Sequence, residues 1–311
     1  MPSLSTQLSS SSSSFPTSRS ALHEETCDIL QTMMKQEVRS YPPLPKLVCT
    51  RKDPWRRLMI NWMYKIVDVF ELSDHIVQVA VYYLDTCVAK NLVQSPHDYK
   101  LLSLTALQLA IKVYDVKLFP IQQLLALSHT KLTVEQVSVM ERRIMSALHW
   151  RLHPPTLDCF VSRYCTIMAT TSSCKTRPMA NTNNWLCRVE EEALDMSRTM
   201  MMHESFRPYR RSVVAYVAMI VSMNRILEEE RHGIGMMKAF KKEIIRLTNI
   251  GDLSEDFVGS VSELVVHIDD IDGSLEPSTV TKNNRSSTPT AKRWNDNGGS
   301  SSPRHVVESI S

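Results

Sequence analysis

YKLLSLTALQLAIKVYD, residues 99–115, carries apolar side chains around almost the whole circumference of a helix, and a helix with no wet face belongs at the centre of a bundle. HIVQVAVYYLDTCVAK, residues 75–90, has the same character, and Ser73 or Asp74 stands where a cap is needed. Upstream, Asp53-Pro54 supplies an N-cap followed by proline at the first helical position. The residues that follow place Trp55, Leu58, Met59, Trp62, Met63, Ile66, Val67 and Phe70 at spacings of three and four, one wide stripe over four turns. Downstream come a short helix in PIQQLLALS (120–128) and a longer one opened by Thr133, with Glu135 in its first turn. Those five helices end at Pro154-Pro155, and an earlier helix is expected over about 24–37, before the breaker YPPLP.

Beyond the proline pair the pattern partly recurs, with helices predicted at about 156–169, 183–202, 208–229, 234–248 and 253–268, and TTSSCKTRP (170–178) as a loop. No alternating Val/Ile/Thr-rich run competes, so the fold class is all-α, two consecutive five-helix bundles of which the second is degenerate. Serine dominates residues 1 to about 20, and Ser, Thr, Asn, Pro and Lys dominate 274–311. Such compositions cannot bury enough apolar area to offset ordering entropy. The resulting division is a disordered tail over 1–22, a first bundle with its preceding helix over 23–153, a second over 154–270 and a disordered tail over 271–311.

Of 311 residues 43% are apolar and 22% charged, with a net charge of +3, which gives no broad basic field for nucleic acid. The seven cysteines form no C-x-x-C pair, which argues against a disulfide framework and a structural zinc site. No apolar signal core and no membrane-length apolar run is present, so an intracellular, soluble chain is expected. The first of only seven glycines is Gly233. Phosphate-cradling loops need glycine where backbone approaches phosphate or takes positive φ, so nucleotide-binding enzymes of the P-loop, dinucleotide and kinase types are nearly excluded.

Three ionisable residues sit where a buried helix should not carry them. Asp85 lies among Val79, Ala80, Val81, Leu84 and Val88, so it occupies either a narrow exposed strip or a pair with an arginine of an adjacent helix, for which Arg56 is the candidate. Glu141 falls four residues after Val137 and three before Ile144, on the edge of its helix's apolar stripe. Lys112 closes the apolar helix at LQLAIK, where a cation also suits the helix C-terminus.

Four segments, in order and at matching separations, resemble the cyclin box over about residues 28–160: WRRLMINWM (55–63), AVYYLD (80–85), LQLAIKVYD (107–115) and VMERRIMSALHWRLHPPTLDCF (139–160). DILQTMMKQEVRSYP (28–42), Arg56-Arg57 and Asn61-Trp62-Met63 are closest to the D-type cyclins, although the L-x-C-x-E motif of many D-type members is absent, LVCTR lacking the glutamate. FRPYRRSVVAYVAMIVSMNRIL (206–227) is the most cyclin-like stretch of the second group.

The resemblance implies a non-enzymatic regulatory subunit that binds and activates a cyclin-dependent serine/threonine kinase in cell-cycle control, of G1/S type. By position, Lys112 and Glu141 match the pair that holds the kinase's C-helix region, and Arg56 and Asp85 match an internal ion pair. Trp55, Leu58, Met59 and Trp62 match the apolar patch that docks R-x-L substrates. Lys65 stands where many members carry an acidic residue for the substrate arginine, and a lysine would repel it. The two acidic residues after the family's lysine are here Tyr114 and Asp115.

The resemblance further implies kinase substrates and the ubiquitin machinery as partners, residence in nucleus and cytoplasm, and no catalytic residue, cofactor, metal, nucleic acid, membrane or small-molecule substrate. Thr288-Pro289 and Ser302-Pro303 are candidate phosphosites, and RSAL (19–22) fits a minimal R-x-x-L degradation signal. The alternative is a scaffold or transcription-associated protein of the same fold that activates no kinase.

Overall fold

A computed structural model describes residues 19–44, 54–115, 120–128, 131–171, 180–229 and 234–248, together with positions 263 and 265. Among them are ten α-helices and no strand. They are α1 (Arg19–Ser40), α2 (Pro54–Val69), α3 (Asp74–Ala89), α4 (Pro96–Tyr114), α5 (Ile121–Leu127), α6 (Val134–Ala147), α7 (Leu157–Thr170), α8 (Ala180–Met202), α9 (Arg211–Glu229) and α10 (Ile234–Thr248), with a 3-10 turn at Glu204–Phe206. The helix anticipated over 253–268 lies outside the described residues apart from positions 263 and 265, as do Thr288 and Ser302.

Local chemistry sets the helix starts. Ser95 Oγ accepts from Asp98 N at 3.1 Å with Pro96 at the head of α4, and Thr156 Oγ1 accepts from Cys159 N at 3.3 Å at the head of α7. Thr133 and Gln136 form a reciprocal capping box at the start of α6, Gln136 N donating to Thr133 Oγ1 and Thr133 N to Gln136 Oε1. α6 ends where His149 and Trp150 take left-handed φ of 50° and 60°. That reversal turns the chain toward the proline pair.

Two hydrophobic cores result. α2 to α6 enclose the first around α3 and α4, both buried on nearly all sides, with Val77, Leu84, Leu102 and Leu107 fully excluded from solvent. α7 to α10 enclose the second around Phe160, Tyr164, Val217 and Phe240. α1 sends Cys27 and Leu30 into this second core. The helix that precedes the first bundle in sequence therefore packs on the second. It also begins at Arg19 rather than near Glu24, so Arg19 to Leu22, expected in the tail, are helical.

Polar contacts join the bundles and fix α1 on α9. Gln78 Nε2 donates to Asp158 Oδ1, and Asp158 N donates back to Gln78 Oε1 at 3.2 Å. Arg198 of α8 lies over the Tyr64 ring at 3.9 Å and reaches Asp68 at 3.4 Å and Asp74 at 3.5 Å. Glu37 of α1, fully buried, accepts from Ser212 N at 3.1 Å and Ser212 Oγ at 2.5 Å. It thereby satisfies a donor left over in the first turn of α9.

Candidate functional site

Lys112 occupies the last turn of α4, where the apolar helix reaches the surface, and Glu141 faces it from the middle of α6. Lys112 Nζ donates to Glu141 Oε1 at 2.9 Å and to Oε2 at 2.8 Å. The lysine side chain is 48% exposed and the glutamate 20%. Val134, two turns before Glu141 on the same face of α6, is an exposed apolar neighbour. The pair is therefore a preformed polar fork, accessible from one side and set on a rigid two-helix platform. An ammonium has three donors and a carboxylate about four acceptor sites, so both groups keep capacity for a further chain's backbone.

Arg56 and Asp85 meet inside the protein. Arg56 Nε donates to Asp85 Oδ1 at 2.8 Å and Nη2 to Oδ2 at 2.9 Å, a bidentate pair between α2 and α3, with the arginine 2% exposed. Arg56 Nη1 donates to Met202 O at 3.0 Å, which ties the same guanidinium to the end of α8. Arg207 Nη2 lies 3.5 Å from Asp85 Oδ1. Burial alone would raise the Asp85 carboxyl, but Arg56 and Arg207 beside it hold it below its ordinary value. The arrangement is a structural lock between α2, α3 and the second bundle, distant in character from the wet Lys112–Glu141 pair.

The four residues matched to an apolar docking patch divide. Trp55 and Leu58 are 42% and 43% exposed, whereas Met59 and Trp62 are 8% and 6% exposed and belong to the first core. Trp55 packs edge-on to Tyr99 at 6.1 Å between centroids. The exposed pair stands in the first turn and a half of α2, and the buried pair follows where the helix runs onto the core. Lys65 is exposed on the same helix. The RSAL segment forms the first turn of α1, with the Arg19 guanidinium donating to Ala169 O at the end of α7. Exposing it as an extended signal requires that turn to unwind.

Sequence reasoning missed three polar clusters: Glu37 with Ser212, Gln78 with Asp158, and the arginines at 207, 210 and 211. The first two join residues far apart in the chain, α1 with α9 and α3 with α7, while the three arginines gather within five residues at the head of α9. A fourth group, His23, Cys27 and Glu243, brings one ligand atom from each residue within 4.8 Å between α1 and α10. There His23 Nε2 already faces Glu243 Oε1 at 3.2 Å, and Arg246 holds the same carboxylate.

Two helical bundles thus carry an accessible lysine–glutamate fork and a buried arginine–aspartate lock. Residues 28–153 match the family model for the cyclin N-terminal domain. The chain is 23% identical over 141 residues to cyclin-A1-2 of Arabidopsis thaliana, covering 44% of this chain and 32% of that protein. It is 24% identical over 150 residues to the G1/S-specific cyclin-D1 of Xenopus laevis, covering 47% of this chain and 51% of that protein. The chain thus matches about a third to a half of the length of these curated relatives. Its fold is similar to that of the viral cyclin from herpesvirus saimiri, with a TM-score of 0.55 at 14% identity, over 78% of this chain and 96% of that one. These likenesses support a cyclin box over residues 28–153, and the described residues form an all-helical cyclin fold.

Proposed function

We propose that this chain is the regulatory subunit of a cyclin-dependent serine/threonine protein kinase, acting in cell-cycle control of G1/S type. The observation that carries the proposal is the Lys112–Glu141 fork, held open on α4 and α6 of the cyclin box. Docked against a kinase's C-helix region, Lys112 Nζ would donate to backbone carbonyls, and the Glu141 oxygens would accept from backbone amides. Apolar side chains around them would exclude water and strengthen both contacts. Positioning that helix sets the kinase's own glutamate against its ATP-binding lysine and supports an ordered activation loop. Every catalytic group on this account belongs to the partner. The G1/S reading is supported by the D-type character of residues 28–42 and of Arg56-Arg57.

Substrates and the ubiquitin machinery are proposed as further partners, and nucleus and cytoplasm as the locations. Substrate docking through α2 would rest on Trp55 and Leu58, the exposed half of the stripe, and Lys65 beside them disfavours an arginine-led motif. The test is co-purification of full-length wild type and Lys112→Ala/Glu141→Ala with cellular kinases, followed by a histone phosphorylation assay. Wild type is expected to bring down an active cyclin-dependent kinase and the double variant none. Absence of kinase with both folded proteins overturns the proposal.

A further inference from the structure

A cleft of about 70 Å3 opens between the bundles, several times the roughly 10–15 Å3 that one water requires. Four arginines line it, Arg56, Arg207, Arg210 and Arg211, against two carboxylates, Glu37 and Asp85. Both carboxylates are already committed. Asp85 takes the bidentate contact from Arg56, and Glu37 takes Ser212 N and Oγ. Arg56 spends three of its five N–H donors, one from each nitrogen, on Asp85 and Met202 O.

Arg207 is left over. Its side chain is only 6% exposed, and Nε and Nη2 make no hydrogen bond, the 3.5 Å approach of Nη2 to Asp85 being long and ill-directed. Desolvating guanidinium N–H groups without acceptors is costly, so a buried pair of them marks a place where an acceptor belongs. Arg211 lies with its guanidinium 4.7 Å from the Tyr82 ring centroid, and burial pushes it below its usual range. Arg210 stands exposed at the mouth. The cleft thus combines an excess of positive charge, unused planar donors and access from solvent. A tetrahedral, doubly charged oxyanion supplies the missing acceptors, and arginine forks suit it better than a monovalent halide.

We propose that this cleft binds a phosphate dianion, either free or as the phosphomonoester of a serine or threonine side chain, with Arg207 as its principal ligand and Arg210 and Arg211 beside it. Neither the kinase reading nor the Lys112–Glu141 fork enters the argument, so the two stand or fall separately.

The full-length chain should be titrated with inorganic phosphate, with a phosphoserine peptide and with its unphosphorylated parent, reading 31P line width and the thermal midpoint against chloride at matched ionic strength. Phosphate should broaden saturably and raise the midpoint where chloride does not. Arg207→Gln should weaken binding at least tenfold, and Arg210→Gln, at the solvent-exposed mouth, should weaken it while leaving the fold intact. Binding of inorganic phosphate alone upholds a small-ion site, and binding of the phosphopeptide but not its parent upholds a chain-borne ligand. Equal effects of phosphate and chloride, or unchanged phosphate affinity in both variants, overturn the proposal.

Discussion

Lys112 Nζ lies within 3 Å of both Glu141 oxygens, at 2.8 and 2.9 Å, yet nearly half of the lysine side chain is open to water. An ion pair in that setting is worth about 0–1 kcal/mol, because solvent screens the attraction and two long side chains lose freedom. Its geometry is therefore poorly explained by stability. Lys112→Ala/Glu141→Ala should change the unfolding free energy by no more than about 1 kcal/mol in urea denaturation. A loss of several kcal/mol would place the pair among the structural contacts and remove it from the binding surface.

Arg56 and Asp85 predict the opposite. Removing one partner strands the other as a buried charge, so Arg56→Ala should cost about 3–5 kcal/mol. Arg56→Met/Asp85→Leu should be milder than Arg56→Ala, its remaining cost being that Arg207 loses its carboxylate neighbour at 3.5 Å. The Asp85 carboxyl is held below its unfolded value, so the pair's contribution is fully present above the unfolded pKa of 3.8 and is lost as pH falls through the lower, folded one. Urea curves for the single and double variants check both statements, and a harmless Arg56→Ala would contradict them.

Asp158 carries a pH dependence of the other sign. Burial raises its carboxyl to about 6, with the Gln78 hydrogen bond opposing the rise. Between the unfolded value of 3.8 and about 6 the folded state binds more protons than the unfolded chain, so this residue's contribution falls as pH rises through that window. Asp158→Asn keeps an acceptor for Gln78 and cannot ionise. The stability of Asp158→Asn relative to wild type should therefore grow from pH 4 to pH 7, as read by denaturation at each pH. A difference that stays constant with pH refutes the assignment.

Much of this was legible in the chain itself, and the failures have physical causes. The central helices α3 and α4 announced themselves by being apolar all round, and the caps at Ser73 and Thr133 fell where turn chemistry demanded, whereas α4 starts at Pro96, capped by Ser95, three residues before the apolar run at Tyr99. Arg56 could be named for Asp85 because a carboxylate in a buried helix needs a nearby guanidinium, and α2 was the adjacent candidate. Periodicity failed on α2, where Trp55 and Met59 share a face and look equivalent in sequence, yet Trp55 in the first turn is exposed and Met59 one turn on is buried. It failed on the onset of α1, because Arg19 to Leu22 follow a serine tract and are held by contact with α7 rather than by their own propensity. The Glu37–Ser212 cap depends on how α1 lies on α9 and the arginine cleft on how one bundle sits on the other, and no local pattern records either.

The most direct measurement is the affinity of full-length protein for a purified cyclin-dependent kinase catalytic subunit, comparing wild type with the exchange Lys112→Glu/Glu141→Lys. The exchange preserves an ion pair between α4 and α6 while inverting what each position offers a partner. The account predicts unchanged helicity and thermal midpoint, with kinase affinity and kinase activation reduced at least tenfold, about 1.4 kcal/mol or more in binding free energy. Wild-type affinity and activation in the exchanged protein would contradict it, because the fork would then serve only to join two helices.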